Sequence, residues 1–176
     1  MAKRQLQLTL AILKPDVTSR PHIVQEIRNM ILENNFYFIR SQNLQMSQHQ
    51  IRTFYKEHEG KFFHNRLVNF MSSGRIWTHI LAKENAIKDW RNLMGPTKVF
   101  KTVHDEPDSI RGRFGLTDTR NCTHGSDSEE TARREIKLFF PDFNEESWRQ
   151  LDEQFYISKR VNFNEELCLH LPDKKS

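Results

Sequence analysis

Hydrophobic and polar positions change period several times along the chain, and each change marks an element. Leu6, Leu8, Leu10 and Ile12 alternate with Gln5, Gln7, Thr9 and Ala11, the period that puts one face of a strand on a core. Lys14-Pro15-Asp16 ends it, because proline has no donor and keeps its predecessor extended, which leaves the Lys14 side chain available at the strand end. Thr18 or Ser19 with Pro21 opens a helix striped by Ile23, Ile27, Met30 and Ile31 and ending near Asn34. Phe36 to Met46 suits a second strand. Ser47 and Gln50 have capping-box spacing and start a helix with Ile51, Phe54, Tyr55 and His58 on one face, stopped by Gly60. Phe63, Leu67 and Phe70 restart a helical period that Gly74 closes. Arg75 to Ala82 predicts a third strand, and Asn85 a helix with Ala86, Trp90 and Leu93 inward, ended by Gly95-Pro96.

From Pro96 to Ser109 no period holds, which makes that stretch a candidate binding loop. Ile110 to Gly115 predicts a helical turn and residues 116–123 a last strand leading to His124. Ser126 and Glu129 then repeat the capping-box spacing, so a helix starts at Ser126 or Asp127 with Ala132, Ile136, Phe139 and Phe140 on its packed face. Strands and helices mixed in this order, with no internal repeat, predict an α+β sandwich with a largely antiparallel sheet. Residues 1–143 form the main domain and 144–176 a C-terminal extension packed on it or trailing from it. In the extension Trp148, Phe155, Tyr156 and Phe163 are scattered among charges, the pattern of a strap over an apolar patch or of a docking arm for a partner protein; Leu171–Ser176 reads as a frayed tail.

Composition narrows the function. The chain's 176 residues are enough for one core. Its 27 basic and 23 acidic residues leave +4, a bias toward anions without the dense basic blocks of a nucleic-acid binder, so nucleotides fit and nucleic acid is disfavoured. Cys122 and Cys168 suggest no disulfide framework. The start, Met1-Ala2-Lys3-Arg4 onward, has no apolar run long enough for a signal peptide or a membrane span, which favours the cytoplasm with mitochondria as the second choice. Without a secretory signal the acceptor triplet Asn121-Cys122-Thr123 is discounted for glycosylation. No second ligand pair stands at zinc spacing from Cys122 and His124, so no metal site built from side chains is expected. The absence of Gly-x-x-x-x-Gly-Lys-Ser/Thr excludes a P-loop kinase.

The candidate chemistry lies in Asn121-Cys122-Thr123-His124-Gly125-Ser126-Asp127-Ser128. His124 precedes a helix start, whose partial positive charge attracts phosphate. Glu135 falls on the inward side of that helix, where a carboxylate is costly unless it finds a partner, and a ring nitrogen of His124 is available. The functional reading makes His124 a nucleophile whose tautomer Glu135 fixes. The bland reading, a surface or cap histidine, is weakened by the joint presence of Lys14 and Arg91.

Leu13-Lys14-Pro15-Asp16, Tyr55, Phe63, Arg91, Thr97, Ile110-Arg111-Gly112 and the octet, in this order, resemble the nucleoside diphosphate kinase family over roughly residues 6 to 143. The resemblance implies a ferredoxin-like βαββαβ sandwich, a four-stranded antiparallel sheet covered by helices. It also implies a ping-pong exchange through a phosphohistidine on His124. Carried over, Glu135 with Ser126 orients the imidazole, Tyr55 lies beside the phosphoryl path, and Phe63 stacks on the base. Lys14 and Asn121 reach sugar hydroxyls, while Arg91, Thr97 and Arg111 hold the phosphates of ATP and other nucleoside di- and triphosphates together with Mg2+. Phosphoryl transfer asks for positioning and for cations where charge develops, which these residues supply. Stacking on a π-face common to all bases implies broad base tolerance.

The loop after Thr97, the run Gly115-Leu116-Thr117-Asp118-Thr119-Arg120 and the tail resemble a divergent branch of the family. Asp118 and Thr119 stand where typical members have a small apolar residue and glycine near the base, so an acid there is expected to weaken nucleotide binding, by repelling phosphates or by altering the loop's turn. The loop in the family helps to build an oligomer, and its extra length leaves a homo-oligomer or another protein partner open. These departures motivate the alternative, a weakly active or inactive nucleotide-binding regulatory protein on the same fold.

Overall fold

The alternating run at the start of the chain becomes β1 (Gln7–Leu13), and the rest of the fold is laid around it. A computed structural model describes residues 5–175; the leader reading at Met1–Arg4 and the tail residue Ser176 lie outside the described residues. After β1 come a single helical turn α1 (Pro15–Thr18), α2 (Pro21–Glu33), β2 (Tyr37–Leu44), α3 (Gln48–Phe54), α4 (His64–Ser72), β3 (Ile76–Lys83) and α5 (Ala86–Met94). They are followed by α6 (Val99–Asp105), α7 (Ile110–Phe114), a three-residue β4 (Thr123–Gly125) and α8 (Glu129–Phe139). The extension forms α9 (Glu145–Leu151), α10 (Glu153–Ile157), β5 (Val161–Asn164) and β6 (Leu169–Pro172).

The main sheet is antiparallel throughout, in the order β2-β3-β1-β4. This is the ferredoxin-like α+β sandwich. Leu8, Leu10 and Ile12 pack with Ile51, Phe54, Val68, Met71, Ile136 and Phe139 from α3, α4 and α8. Ala11 and Leu13 pack with Ile27, Ile31, Trp90 and Met94 from α2 and α5. The expectation that β1 buries one face is therefore corrected: as a central strand it is covered on both sides, and Thr9 and Ala11 are small enough for helices to approach closely.

Three boundaries also differ from the sequence reading. Residues 96–109 contain α6, hidden from periodicity because Phe100 is 86% exposed and only Val99 and Thr102 of that helix are buried. The last strand spans Thr123–Gly125, not 116–123, and the preceding stretch is irregular. The capping box at Ser126 and Glu129 does not form. Ser128 caps α8 instead, its hydroxyl accepting from the Thr131 N–H, because Ser126 is buried and engaged elsewhere. By contrast, the box at Ser47 and Gln50 is present in both directions.

The extension is not frayed through Pro172: β6 pairs with β5 over four residues. Trp148 and Tyr156 join the α8-side core, while Cys168 and Phe163 pack on the α2 side. His170 Nδ1 accepts from the Phe38 N–H at 2.9 Å, and Ser41 donates to the Cys168 carbonyl at 2.7 Å, so the hairpin lies against the outer strand β2. The buried Glu153 carboxylate accepts from the Leu6 N–H at 2.8 Å and from Arg149 at 2.9 Å.

Candidate active site

A three-residue strand carries the central histidine. β4 pairs with β1 through Ile12 and His124, and on its other side the Trp90 indole N–H donates to the His124 carbonyl at 3.1 Å. Glycine is required next to His124, because a β-carbon on Gly125 would come 2.5 Å from Trp90 Cδ1. The ring is wedged edge-on between Phe54, with centroids 4.9 Å apart, and Tyr55, at 6.2 Å. His124 Nε2 lies 2.9 Å from Glu135 Oε2, and Ser126 donates to Glu135 Oε1 at 2.6 Å while accepting the Leu10 N–H at 3.2 Å. A buried carboxylate accepts only, so the shared proton belongs to Nε2 and the lone pair to Nδ1. The histidine side chain keeps 21% exposure where Glu135 has 2%.

His124 and Glu135 open onto a cleft of about 560 Å³ lined also by Arg91, Thr97, Arg111, His58 and the carboxylates Glu57, Glu106 and Asp127. Arg111 is buried, and its guanidinium donates to the carbonyls of Asn121 at 3.1 Å, Gly95 at 2.7 Å and Thr123 at 2.8 Å. Three of its five N–H groups are thereby committed to the chain that surrounds the histidine. Burial lowers its pKa to about 10, so it stays cationic near neutrality. Gly95 must be glycine: its φ is +81°, and a β-carbon there would overlap Ser109.

Lys14 is not the available side chain that the sequence suggests. It is 5% exposed, and its Nζ donates to Asn121 Oδ1 at 2.7 Å. Burial, reinforced by the Arg111 charge, lowers its pKa to about 8. Lys14, Asn121 and Ser126 thus form a buried layer behind the histidine rather than the cleft lining. Tyr55 is buried with no hydrogen-bond partner for its hydroxyl among the described residues, and burial, then the Glu135 charge, push its pKa well above the usual phenol value. His58 stacks on Tyr55 at 5.9 Å; burial first and Lys61 second lower its pKa. Phe63, half-buried at the N-terminus of α4, meets His58 edge-on at 5.5 Å. Asp118, the unexpected acid, accepts the Val99 N–H at 3.0 Å at the start of α6, and its carbonyl accepts from Asn121 Nδ2 at 2.9 Å.

Sequence reasoning missed the ring wall provided by Phe54, the indole bond from Trp90, the contribution of His58 and a carboxylate, Asp16, behind the histidine turn. Phe54 and Trp90 stood on apolar stripes, and a stripe shows that a residue is inside without showing what it touches. Among the described residues, no group of three or more His, Cys, Asp or Glu side chains is arranged to hold a metal ion, and no helix is long and apolar enough to cross a membrane.

A histidine fixed by a carboxylate, facing two arginines and a threonine on a ferredoxin-like sheet, invites comparison with known proteins. The family profile described as nucleoside diphosphate kinase matches residues 7–144. Mouse nucleoside diphosphate kinase 6 is 50% identical over 165 residues, which cover 94% of this chain and 87% of that protein. The human protein of the same name is 54% identical over 148 residues, covering 84% and 80%. The divergent branch resembled by the loop and tail is thus the one named nucleoside diphosphate kinase 6. Among solved structures, the Aquifex aeolicus nucleoside diphosphate kinase superimposes with a TM-score of 0.73 at 33% identity, covering 77% of this chain and 96% of that one. The Encephalitozoon cuniculi enzyme gives 0.72 at 26% identity, covering 81% and 98%. With its fold, its motifs and its full-length relatives in agreement, the chain belongs to the nucleoside diphosphate kinase family.

Proposed function

We propose that this chain moves the γ-phosphate of a nucleoside triphosphate to a nucleoside diphosphate in two steps through a phosphohistidine on His124. The observation that carries the reading is the hydrogen bond between Nε2 and Glu135, which leaves the Nδ1 lone pair on a ring that borders the cleft. Nδ1 attacks the γ-phosphorus, the N–P bond forms as the bond to the bridging oxygen breaks, and the diphosphate leaves with that electron pair. The Nε2 proton remains shared with Glu135, which stabilises the imidazolium character that develops. A second diphosphate then reverses the sequence. Arg91, Arg111 and Thr97 line the cleft and suit the phosphates; Phe63, packed against the cleft-lining His58, suits the base, while Lys14 and Asn121, bonded to each other, support the turn from behind instead of reaching sugar hydroxyls. Tyr55 stands edge-on to the His124 ring and walls the phosphoryl path from the buried side.

Mg2+ would be carried by the nucleotide phosphates and would screen their charge; Glu57, Glu106 and Asp127 on the cleft wall are the carboxylates that would stand near it. Asp118 gives one carboxylate oxygen to the Val99 N–H, so the acid that motivated the regulatory alternative also has a structural use at the start of α6.

The test is incubation with γ-labelled ATP and Mg2+. Acid-labile label on His124, discharged by a second nucleoside diphosphate and absent from His124→Gln, is the expected result. Label that never forms, or forms and is not discharged, overturns the reading.

A further inference from the structure

Glu135 and the aromatic walls orient the His124 ring, but a strand of three residues gives its backbone little hold of its own, so the turn before it also bears on where the ring stands. That turn is strained. Cys122 is buried at φ +75°, the left-handed region that residues with a side chain adopt only when their surroundings hold them there. Its carbonyl accepts from the Lys14 N–H at 2.8 Å, as any residue type there would allow. Its N–H points the other way and donates to Asp16 Oδ2 at 3.1 Å.

Asp16 is an unusual place to find that acceptor. It lies in the first turn of α1, 8% exposed, and its other carboxylate oxygen has no hydrogen-bond partner among the described residues. Burial raises its pKa, with the Cys122 bond and the Lys14 charge opposing. A half-satisfied interior carboxylate is expensive to keep. It does not line the cleft, and among the described residues its side chain accepts from another residue at the strained Cys122, two positions before His124.

We propose that Asp16 is a positioning residue, whose carboxylate holds Cys122 in the left-handed turn and thereby sets where His124 stands in the cleft. Arg111 and Lys14 tie Asn121 and Thr123 on either side of Cys122, but neither reaches the Cys122 N–H. The inference rests on the proposed phosphotransfer for its kinetic readout and is independent of it for its structural one.

The experiment uses four full-length chains: wild type, Asp16→Ala, Asp16→Asn and Asp16→Ala combined with Cys122→Gly. Glycine takes a positive φ without strain, so the double variant no longer needs the carboxylate. Asp16→Ala is expected to lower kcat about tenfold to a hundredfold with little change in nucleotide KM, the size expected when a reacting group shifts by about 1 Å. Asp16→Asn, whose amide oxygen still accepts, and the double variant are each expected to recover most of the loss. In parallel, nuclear magnetic resonance reads the exchange of the residue 122 amide and the ring nitrogens of His124. Asp16→Ala should speed the exchange and move the ring signals; the double variant should return the ring signals.

Wild-type kcat and unchanged ring signals in Asp16→Ala overturn the proposal. So does a loss that Cys122→Gly fails to recover, including a chain that unfolds and is not restored, which makes Asp16 a folding residue only. A wild type without phosphotransfer would sink the proposed function, yet the amide exchange and ring signals would still decide the role of Asp16.

Discussion

Behind His124 the cleft is buried and bonded, and across from it the wall is open. Glu135, Ser126, Asn121, Lys14 and Arg111 are each under a tenth exposed, and their polar groups are joined to one another or to main chain. Arg91 and Thr97 are exposed, and their side chains make no hydrogen bond among the described residues. His124 is therefore held before any ligand arrives, whereas the Arg91 side chain on the open wall is held by no hydrogen bond among the described residues. Preorganisation is worth most where charge and bonds change, and least where many nucleotides must be accommodated.

Replacing the two arginines should break the comparison most visibly. Arg111→Ala strips a charged donor from three carbonyls, so a loss of at least about 3 kcal/mol and the disappearance of activity are expected. Arg91→Ala should leave the unfolding temperature nearly unchanged and raise nucleotide KM about tenfold, near the effect of one charge-assisted hydrogen bond. Thermal unfolding and steady-state kinetics on both variants check this; equal losses of stability would mean the open wall is structural too.

Next in size is the bond between Glu135 and the imidazole. Glu135→Ala removes the partner that fixes the tautomer and should lower kcat about a hundredfold with KM little changed. A matched loss in both constants together with a lower unfolding temperature would instead show that Glu135 holds α8 onto β4. Single-turnover labelling of His124 separates the two outcomes.

The two sides differ in legibility for the same reason that they differ in structure. His124, Glu135 and the flanking glycine were readable because a helix period, a costly inward carboxylate and a nearby histidine define one another locally. Most strands and helices followed from period changes and from punctuation at Pro15, Gly74 and Gly95, whereas the four-stranded sheet was legible only through the family resemblance, because pairing joins residues far apart in sequence. The burial of Lys14 was not readable, since its partner Asn121 lies 107 residues away and only tertiary packing brings them together. Nor was α6, whose outward Phe100 erases the apolar stripe, nor the β5–β6 hairpin, whose core contacts come from β2 and α10 rather than from a pattern of its own. Ser126 had the right spacing for a cap and was used otherwise, because the carboxylate of Glu135 competes for its hydroxyl in the interior.

A smaller effect separates fold from site through pH. The Lys14 pKa is lowered to about 8 in the folded chain from 10.5, so between those values the unfolded chain binds more protons than the folded one. Stability contributed by this group must therefore rise with pH through that window. Over the same window the layer behind His124 loses a positive charge, and nucleotide KM should climb a few fold above pH 8, with kcat less affected. Chemical denaturation and kinetics measured from pH 7 to 10 should move in opposite directions, and Lys14→Met should flatten both. Phe63→Ala is comparable or smaller in its effect: with about 1 kcal/mol of base stacking lost, KM for every nucleotide should rise roughly fivefold and the labelling of His124 at saturation should persist.

Asp118→Ala should have the smallest effect, and its sign matters more than its size. If the acid repels phosphate, removing it tightens nucleotide binding. If it serves as a brace, the result runs the other way. Its carboxylate accepts the first N–H of α6, and its carbonyl holds the Asn121 side chain, so the same residue joins the open wall near Thr97 to the bonded layer behind His124. A carboxylate at a helix start contributes about 0.5–1 kcal/mol, and losing it should speed amide exchange at Val99 and loosen the segment that carries Thr97. Nucleotide affinity should then fall about twofold rather than rise, and Asp118→Asn, which keeps the acceptor and drops the charge, should remain near wild type. Tighter binding in both variants would show charge to outweigh bracing and would return the open wall to a purely electrostatic account.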